Sequence, residues 1–142
     1  WSSDVCSSDL VNDSKATNAH AAQTSLAAYD PIVWIAGGMA KGQEFDELVR
    51  GARPRLRGVV LLGVDQDVLG QALARHAPDV PVVEVDRTDT GAMDDVVAAA
   101  ASFARPGGTV LLAPGCASWD MFRDYAHRGD EFASAVQRLL GR

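Results

Sequence analysis

Val59-Val60-Leu61-Leu62-Gly63-Val64, followed closely by an Ala-, Leu- and charge-bearing run over residues 66–76, decides how this chain folds. The first six residues have no polar face, so the strand they predict is covered on both sides, as in a parallel sheet. The run after them carries its apolar residues at helical spacing and predicts one of the covering helices. Working outward, the same alternation recurs. Ile32-Val33-Trp34-Ile35-Ala36, residues 80–85 and Thr109-Val110-Leu111-Leu112-Ala113 read as strands, and residues 18–29, 44–53, 91–104 and 120–140 as helices, the last expected to break near Gly129. Pro31, Pro54, Pro78, Pro81 and Pro106 fall between these elements, where a missing N–H costs no interior hydrogen bond. The pattern predicts a single α/β domain, a Rossmann-like, mostly parallel sheet with helices on both faces. Ligands of such sheets gather at the carboxyl ends of the strands, which directs attention to the loops there.

Composition narrows the function. The chain has 142 residues, enough for one domain with a core, and 19 acidic against 13 basic residues give a net charge of −6. No run of Lys and Arg offsets that charge, so no nucleic-acid partner is expected. No stretch approaches the roughly 18 apolar residues of a bilayer span, and no basic-then-apolar leader opens the chain, so no membrane partner is expected and a soluble, cytoplasmic location is. Cys6 and Cys116 form no CxxC pair, which argues against a disulfide framework or a structural zinc. His20, His76 and His127 are scattered, and no metal held by protein side chains is expected.

The opening decapeptide, Trp1-Ser2-Ser3-Asp4-Val5-Cys6-Ser7-Ser8-Asp9-Leu10, has four serines and no periodicity. It resembles the conceptual translation of adapter DNA, and residues 1–10 are read as a non-native tail ahead of a domain spanning 11–142. Without it the chain has 17 acidic against 13 basic residues and a net charge of −4.

Three loops carry candidate chemistry. Gly37-Gly38-Met39-Ala40-Lys41-Gly42 follows the first long strand; its glycines permit close backbone approach and Lys41 supplies an ammonium. It matches neither GxxxxGK[ST] nor GxGxxG, and both an anion site and a plain glycine-rich turn fit it. In Asn12-Asp13-Ser14-Lys15-Ala16-Thr17-Asn18, Ser14, Thr17 and Asn18 each suit a helix N-cap. Lys15 fits a first helical turn poorly, since a cation there opposes the helix dipole unless an anion is bound. After the last strand, Ala113-Pro114-Gly115-Cys116-Ala117-Ser118-Trp119-Asp120-Met121-Phe122 places Ser118 and Asp120 as a helix start whose amides face the strand end. A nucleophilic serine would want GxSxG and a histidine partner, and neither is present. Cys116 reads as a small buried residue, and Asp124, His127, Arg128 and Asp130 as a solvated polar face.

Together, Asn12 to Asn18, Trp34 to Gly42, and Leu112 to Phe122 continuing into Arg128-Gly129-Asp130-Glu131-Phe132 resemble one family: the carboxy-terminal domain of the UDP-N-acetylmuramoyl-L-alanine:D-glutamate ligases, the Mur ligases that add D-glutamate. The resemblance covers residues 11–142. It implies an ATP- and Mg2+-dependent amide ligase of peptidoglycan synthesis, in which the carboxylate of UDP-N-acetylmuramoyl-L-alanine becomes an acyl phosphate that the amine of D-glutamate attacks. It further implies that Lys15, Thr17, Lys41, Ser118, Trp119 and Phe122 line the D-glutamate site, Phe122 through its main-chain amide. Lys15 would also lie near the developing phosphate, as the catalytic residue, and Asp13 near the ATP ribose. Trp119 stands where a smaller apolar or phenyl side chain is common. ATP and Mg2+ would be bound mainly by a central domain with a phosphate loop that these residues do not contain, so the chain alone is expected to be inactive. The alternative is a stand-alone anion- or metabolite-binding α/β module.

Overall fold

The computed structural model describes residues 9–86, 91–104, 107–118 and 120–140. The decapeptide up to Ser8, Pro106 and Trp119 lie outside the described residues. Five strands and five helices alternate: β1 (Asp9–Asn12), α1 (Ala19–Leu26), β2 (Ile32–Gly37), α2 (Asp46–Ala52), β3 (Leu56–Leu62), α3 (Gln66–His76), β4 (Val82–Glu84), α4 (Ala92–Phe103), β5 (Thr109–Leu112) and α5 (Tyr125–Leu140), with a 3-10 turn at Arg53–Arg55 leading into β3. The strands form one sheet in the order β1-β5-β2-β3-β4, and every neighbouring pair is parallel.

The central strands are apolar throughout because both of their faces are covered. Ile32, Trp34, Ala36, Val59, Leu61 and Leu111 pack under α1, α2 and α3, against Leu26, Leu48, Val49, Leu69 and Leu73. Val33, Ile35, Val60, Leu62, Val110 and Leu112 point the other way, onto Met93, Val96, Val97, Phe132 and Ala135 of α4 and α5. Successive strand residues thus enter opposite cores, as the two-residue period of a strand requires. Each fully buried aliphatic side chain contributes about 1.5–3 kcal/mol, so these strands are the main source of stability.

The structure departs from the sequence reading in four places. β1 was not foreseen, because Leu10 and Val11 are its only apolar residues; it is held by backbone pairing of Asp9–Asn12 with Thr109–Leu112. The pairing takes in Asp9 and Leu10, so the sheet begins two residues before the boundary drawn at 10/11. The fourth strand is only Val82–Glu84; it lies at the sheet edge, with Val82 and Glu84 exposed, rather than buried on both faces. The last helix begins at Tyr125, not at residue 120, and runs unbroken through Gly129 to Leu140. The preceding residues instead form a turn in which Met121 and Phe122 donate to the Ser118 carbonyl, 3.2 and 2.9 Å, while the Asp120 carboxylate accepts the Val64 amide at 2.8 Å.

Gly129 explains why that helix does not break. A Cβ there would lie 3.2 Å from both Asn12 Oδ1 and Ser14 Cβ, so the missing side chain serves close packing of α5 on the β1 exit rather than a bend. Asn12 Nδ2 donates to the Gly129 carbonyl at 2.9 Å across this contact.

Candidate functional site

The strand order brings the three loops of interest side by side. β5 lies between β1 and β2, so the loops leaving these three strands share one patch at the carboxyl edge of the sheet. Backbone hydrogen bonds sew them together: Asp13 N to Leu112 O at 2.8 Å, Gly115 N to Ala16 O at 2.8 Å and Gly37 N to Pro114 O at 3.0 Å. Met39 and Ala117 exchange a pair of bonds, 2.8 and 3.0 Å, as an isolated antiparallel bridge.

Gly37 and Gly38 make that approach possible. Their φ angles of 125° and 135° lie where side chains are rarely tolerated, and a Cβ on them would stand 1.9 Å from Leu62 O and 2.3 Å from Ala117 O respectively. Lys41 sits in the same loop with a left-handed φ of 53°, and it is exposed. The loop is pinned by Asp65, whose carboxylate accepts the Ala40 amide at 2.8 Å.

Gln43 is a cross-link that the sequence reading missed. Its Oε1 accepts the Ala19 amide at 2.7 Å at the start of α1, while its Nε2 donates to Ala40 O at 2.9 Å and Gly115 O at 3.4 Å. One amide side chain therefore touches all three loops, and no motif spacing signals it.

Among the N-cap candidates, Asn18 is the cap of α1, accepting the Ala21 amide at 2.8 Å. Lys15 is exposed and stands in the turn closed by Ala16 N and Asp13 O at 2.9 Å, ahead of the helix rather than in its first turn. The dipole argument against a cation therefore does not apply to it. Thr17 is half-buried between Lys15 and the cap. The Asp13 carboxylate accepts the Ser25 hydroxyl of α1.

Ser118 is 3% exposed, at the foot of the turn that its carbonyl organises. Phe122 is placed differently from the other candidates: its ring is buried in the core under α4 and α5, edge-on to His127 at 5.5 Å between centroids. Its amide, like that of Met121, donates to the Ser118 carbonyl. Trp119 lies outside the described residues. Near Lys15, a shallow concavity of about 270 Å³ is lined by Asn12, Ser14, Lys15, Tyr125 and Asp130, among others. Tyr125, exposed at 46%, is a further residue that the sequence reading did not single out.

Arg128 requires a correction. Read as part of a solvated face, it is 1% exposed. Its guanidinium spans two loops, donating from Nε to Ser14 Oγ at 2.9 Å, from Nη2 to Ser14 O at 2.7 Å and from Nη1 to Cys116 O at 2.9 Å. Burial brings its pKa down to about 10, so it remains a cation at neutral pH. Burial also pushes the Cys116 thiol up to about 12, which leaves it protonated and without nucleophilic character.

A roomier cleft of about 760 Å³ lies at the amino ends of the strands, bordered by Asp30, Arg53, Arg55, Arg57 and Asp79. Arg53 is paired with Asp79 at 3.3 Å and Arg55 is held by the Leu26 carbonyl at 3.2 Å. That end of a parallel sheet is not where loops converge on ligands. Among the described residues, no three His, Cys, Asp or Glu side chains are grouped to hold a metal. No described helix is long and apolar enough to cross a membrane.

The fold and the loop patch define an open parallel α/β domain with cations, hydroxyls and main-chain amides at its strand ends. Residues 4–116 match the family described as Mur ligase, glutamate ligase domain, and the chain belongs to that family. It is similar to the UDP-N-acetylmuramoylalanine--D-glutamate ligases of Streptomyces coelicolor, 64% identical over 136 residues, and of Streptomyces avermitilis, 62% identical over 136, each alignment covering 96% of this chain and 29% of the relative. The ligase of Thermobifida fusca is 62% identical over 133 residues, 94% of this chain and 29% of its own length. The chain thus spans less than a third of the length of these relatives.

Proposed function

We propose that this chain is the D-glutamate-holding domain of an ATP-dependent ligase that joins D-glutamate to UDP-N-acetylmuramoyl-L-alanine in peptidoglycan synthesis in the cytoplasm. The observation that carries this reading is the convergence of the β1, β5 and β2 exit loops, which sets Lys15, Thr17, Lys41 and Ser118 on one edge of the sheet. D-glutamate has two carboxylates to be held and one amine that must be neutral and aimed to attack. Two ammonium groups and two hydroxyls on braced loops suit the carboxylates, since charge-assisted hydrogen bonds are the strong ones and fix direction as well. Holding the amino acid by its carboxylates leaves its amine turned toward the acceptor and converts an encounter into an oriented reaction. Lys15, exposed on the β1 exit loop, would face the activated carboxylate of the acceptor, and Asp13 the nucleotide ribose. The rest of the intact ligase supplies the site for ATP and Mg2+ and the activation they drive.

The test is phosphate release by the intact ligase carrying this domain, with UDP-N-acetylmuramoyl-L-alanine and ATP present and the amino acid varied. Release is expected to depend on D-glutamate and to be at least about a hundredfold slower with L-glutamate, because the mirror image cannot place both carboxylates and the amine together. Equal rates with the two enantiomers would overturn the reading.

A further inference from the structure

Arg128 is one of the largest fully buried side chains of the domain, yet none of the groups its guanidinium touches is a carboxylate. Burying a cation is costly; Asp120 favours its charge only through space, so the group persists only where its hydrogen bonds are well made. Its acceptors are the two carbonyls that immediately precede Lys15 and Ala117, together with the hydroxyl of Ser14. Fixing a carbonyl fixes the whole peptide plane, so the amides of Lys15 and Ala117 are oriented by the two bonds to Ser14 O and Cys116 O. Ser14 closes the arrangement by donating from Oγ to the Tyr125 carbonyl at 2.6 Å, one helical turn before Arg128. Asn12 adds a second tie between the β1 exit and the helix, through Gly129 O.

From this geometry we propose that Arg128 is a positioning residue: it sets the separation between the loop bearing Lys15 and Thr17 and the loop bearing Ser118, and so controls how tightly the acidic amino acid is held. The proposal rests on the reading of the site given above. Arg128 itself is out of reach of a ligand; its effect passes through two peptide planes and one hydroxyl. The planar fork matters, because a lysine at this position has a single nitrogen and cannot hold Ser14 Oγ, Ser14 O and Cys116 O at their separate places.

Arg128→Lys and Ser14→Ala, made in the intact ligase, test this, with Arg138→Ala on the exposed Arg138–Asp94 pair as the control. Both test variants are expected to raise KM for D-glutamate about tenfold or more while moving KM for ATP by less than about twofold. Amide hydrogen exchange is expected to quicken in residues 13–18 and 113–118 and to stay unchanged in β2 and β3. The control should move neither. Unchanged exchange in the two loops would show that Arg128 does not set their spacing. Faster exchange with an unchanged KM for D-glutamate would show that the spacing does not govern binding, and either result overturns the proposal. If Arg128→Lys fails to fold, Ser14→Ala decides by the same two measurements. If the unmodified ligase shows no dependence on D-glutamate, the reading of function falls, and the exchange data alone decide whether Arg128 holds the loops.

Discussion

Trp34, in the middle of the sheet, donates its indole N–H to the carbonyl of Ala113 at 2.7 Å, in a site where the tryptophan is 0% exposed. The bond runs from the second strand to the first residue beyond the fifth, so it fixes where the β5 exit loop leaves the sheet. Trp34→Phe keeps most of the apolar volume and removes the donor, leaving a buried carbonyl unpaired. The loss is expected to be about 1–3 kcal/mol, read as a lower urea midpoint with an unchanged slope.

Lys15 and Lys41 approach the patch from different strands, and their removal should be felt in different ways. Lys15→Ala in the intact ligase is expected to lower D-glutamate-dependent phosphate release at least about tenfold, with loss in kcat as well as in kcat/KM. Lys41→Ala is expected to act mainly on KM for D-glutamate. Steady-state kinetics of the two variants separate these outcomes, and retained activity in Lys15→Ala would remove the role assigned to it.

The glycines of the β2 exit can be ranked by what surrounds them. Gly38→Ala meets Ala117 O at 2.3 Å with φ at 135°, so it must open the Met39–Ala117 bridge; a loss of about 2–4 kcal/mol is expected. Gly42 has a positive φ of 78° but open space around it, so Gly42→Ala should cost only about 1 kcal/mol. Denaturant titration of the two variants measures the difference.

Cys116 makes stability depend on pH in the alkaline range. In the folded chain its thiol is held up to about 12, against 9.0 for an unburied one, so between these values the unfolded chain gives up a proton that the folded chain keeps. The stabilisation is therefore complete below pH 9 and is lost as pH rises toward 12. From pH 9 to 10.5 the unmodified protein is expected to lose about 1.5 kcal/mol more than Cys116→Ala does. Urea unfolding of both proteins at the two pH values checks the sign as well as the size.

These residues also mark what a sequence can reveal. β2, β3 and β5 were legible because burial on both faces leaves an unbroken apolar run, which almost no other element writes. β1 was not, since Leu10 and Val11 sit among polar residues and the strand is defined by its partner. Lys15, Lys41 and Ser118 were legible as candidates because glycines, caps and charge collect visibly at strand ends. Arg128 and Gln43 were not, because their partners lie 114 and 24 residues away along the chain. At position 128 a helical pattern of mixed charge looks solvated until Gly129 is seen to let the helix close over Asn12 and Ser14. Asp120 misled in the same manner: its carboxylate is spent on Val64, 56 residues earlier, and not on starting a helix.

The position of β5 has a consequence for how the molecule is made. Among the described residues β1 pairs with β5 alone, so within this domain β1 has no strand to join until β5 has been made. Strands β2, β3 and β4 can zip to one another in the order in which they appear, yet the gap between β1 and β2 waits for Thr109–Leu112. The last parallel strand arrives as a wedge driven between two earlier ones, closing a long loop at a late stage of folding. A polypeptide stalled before residue 109 would own a helix-covered half-sheet and every residue of the first two loops, but no patch in which they meet.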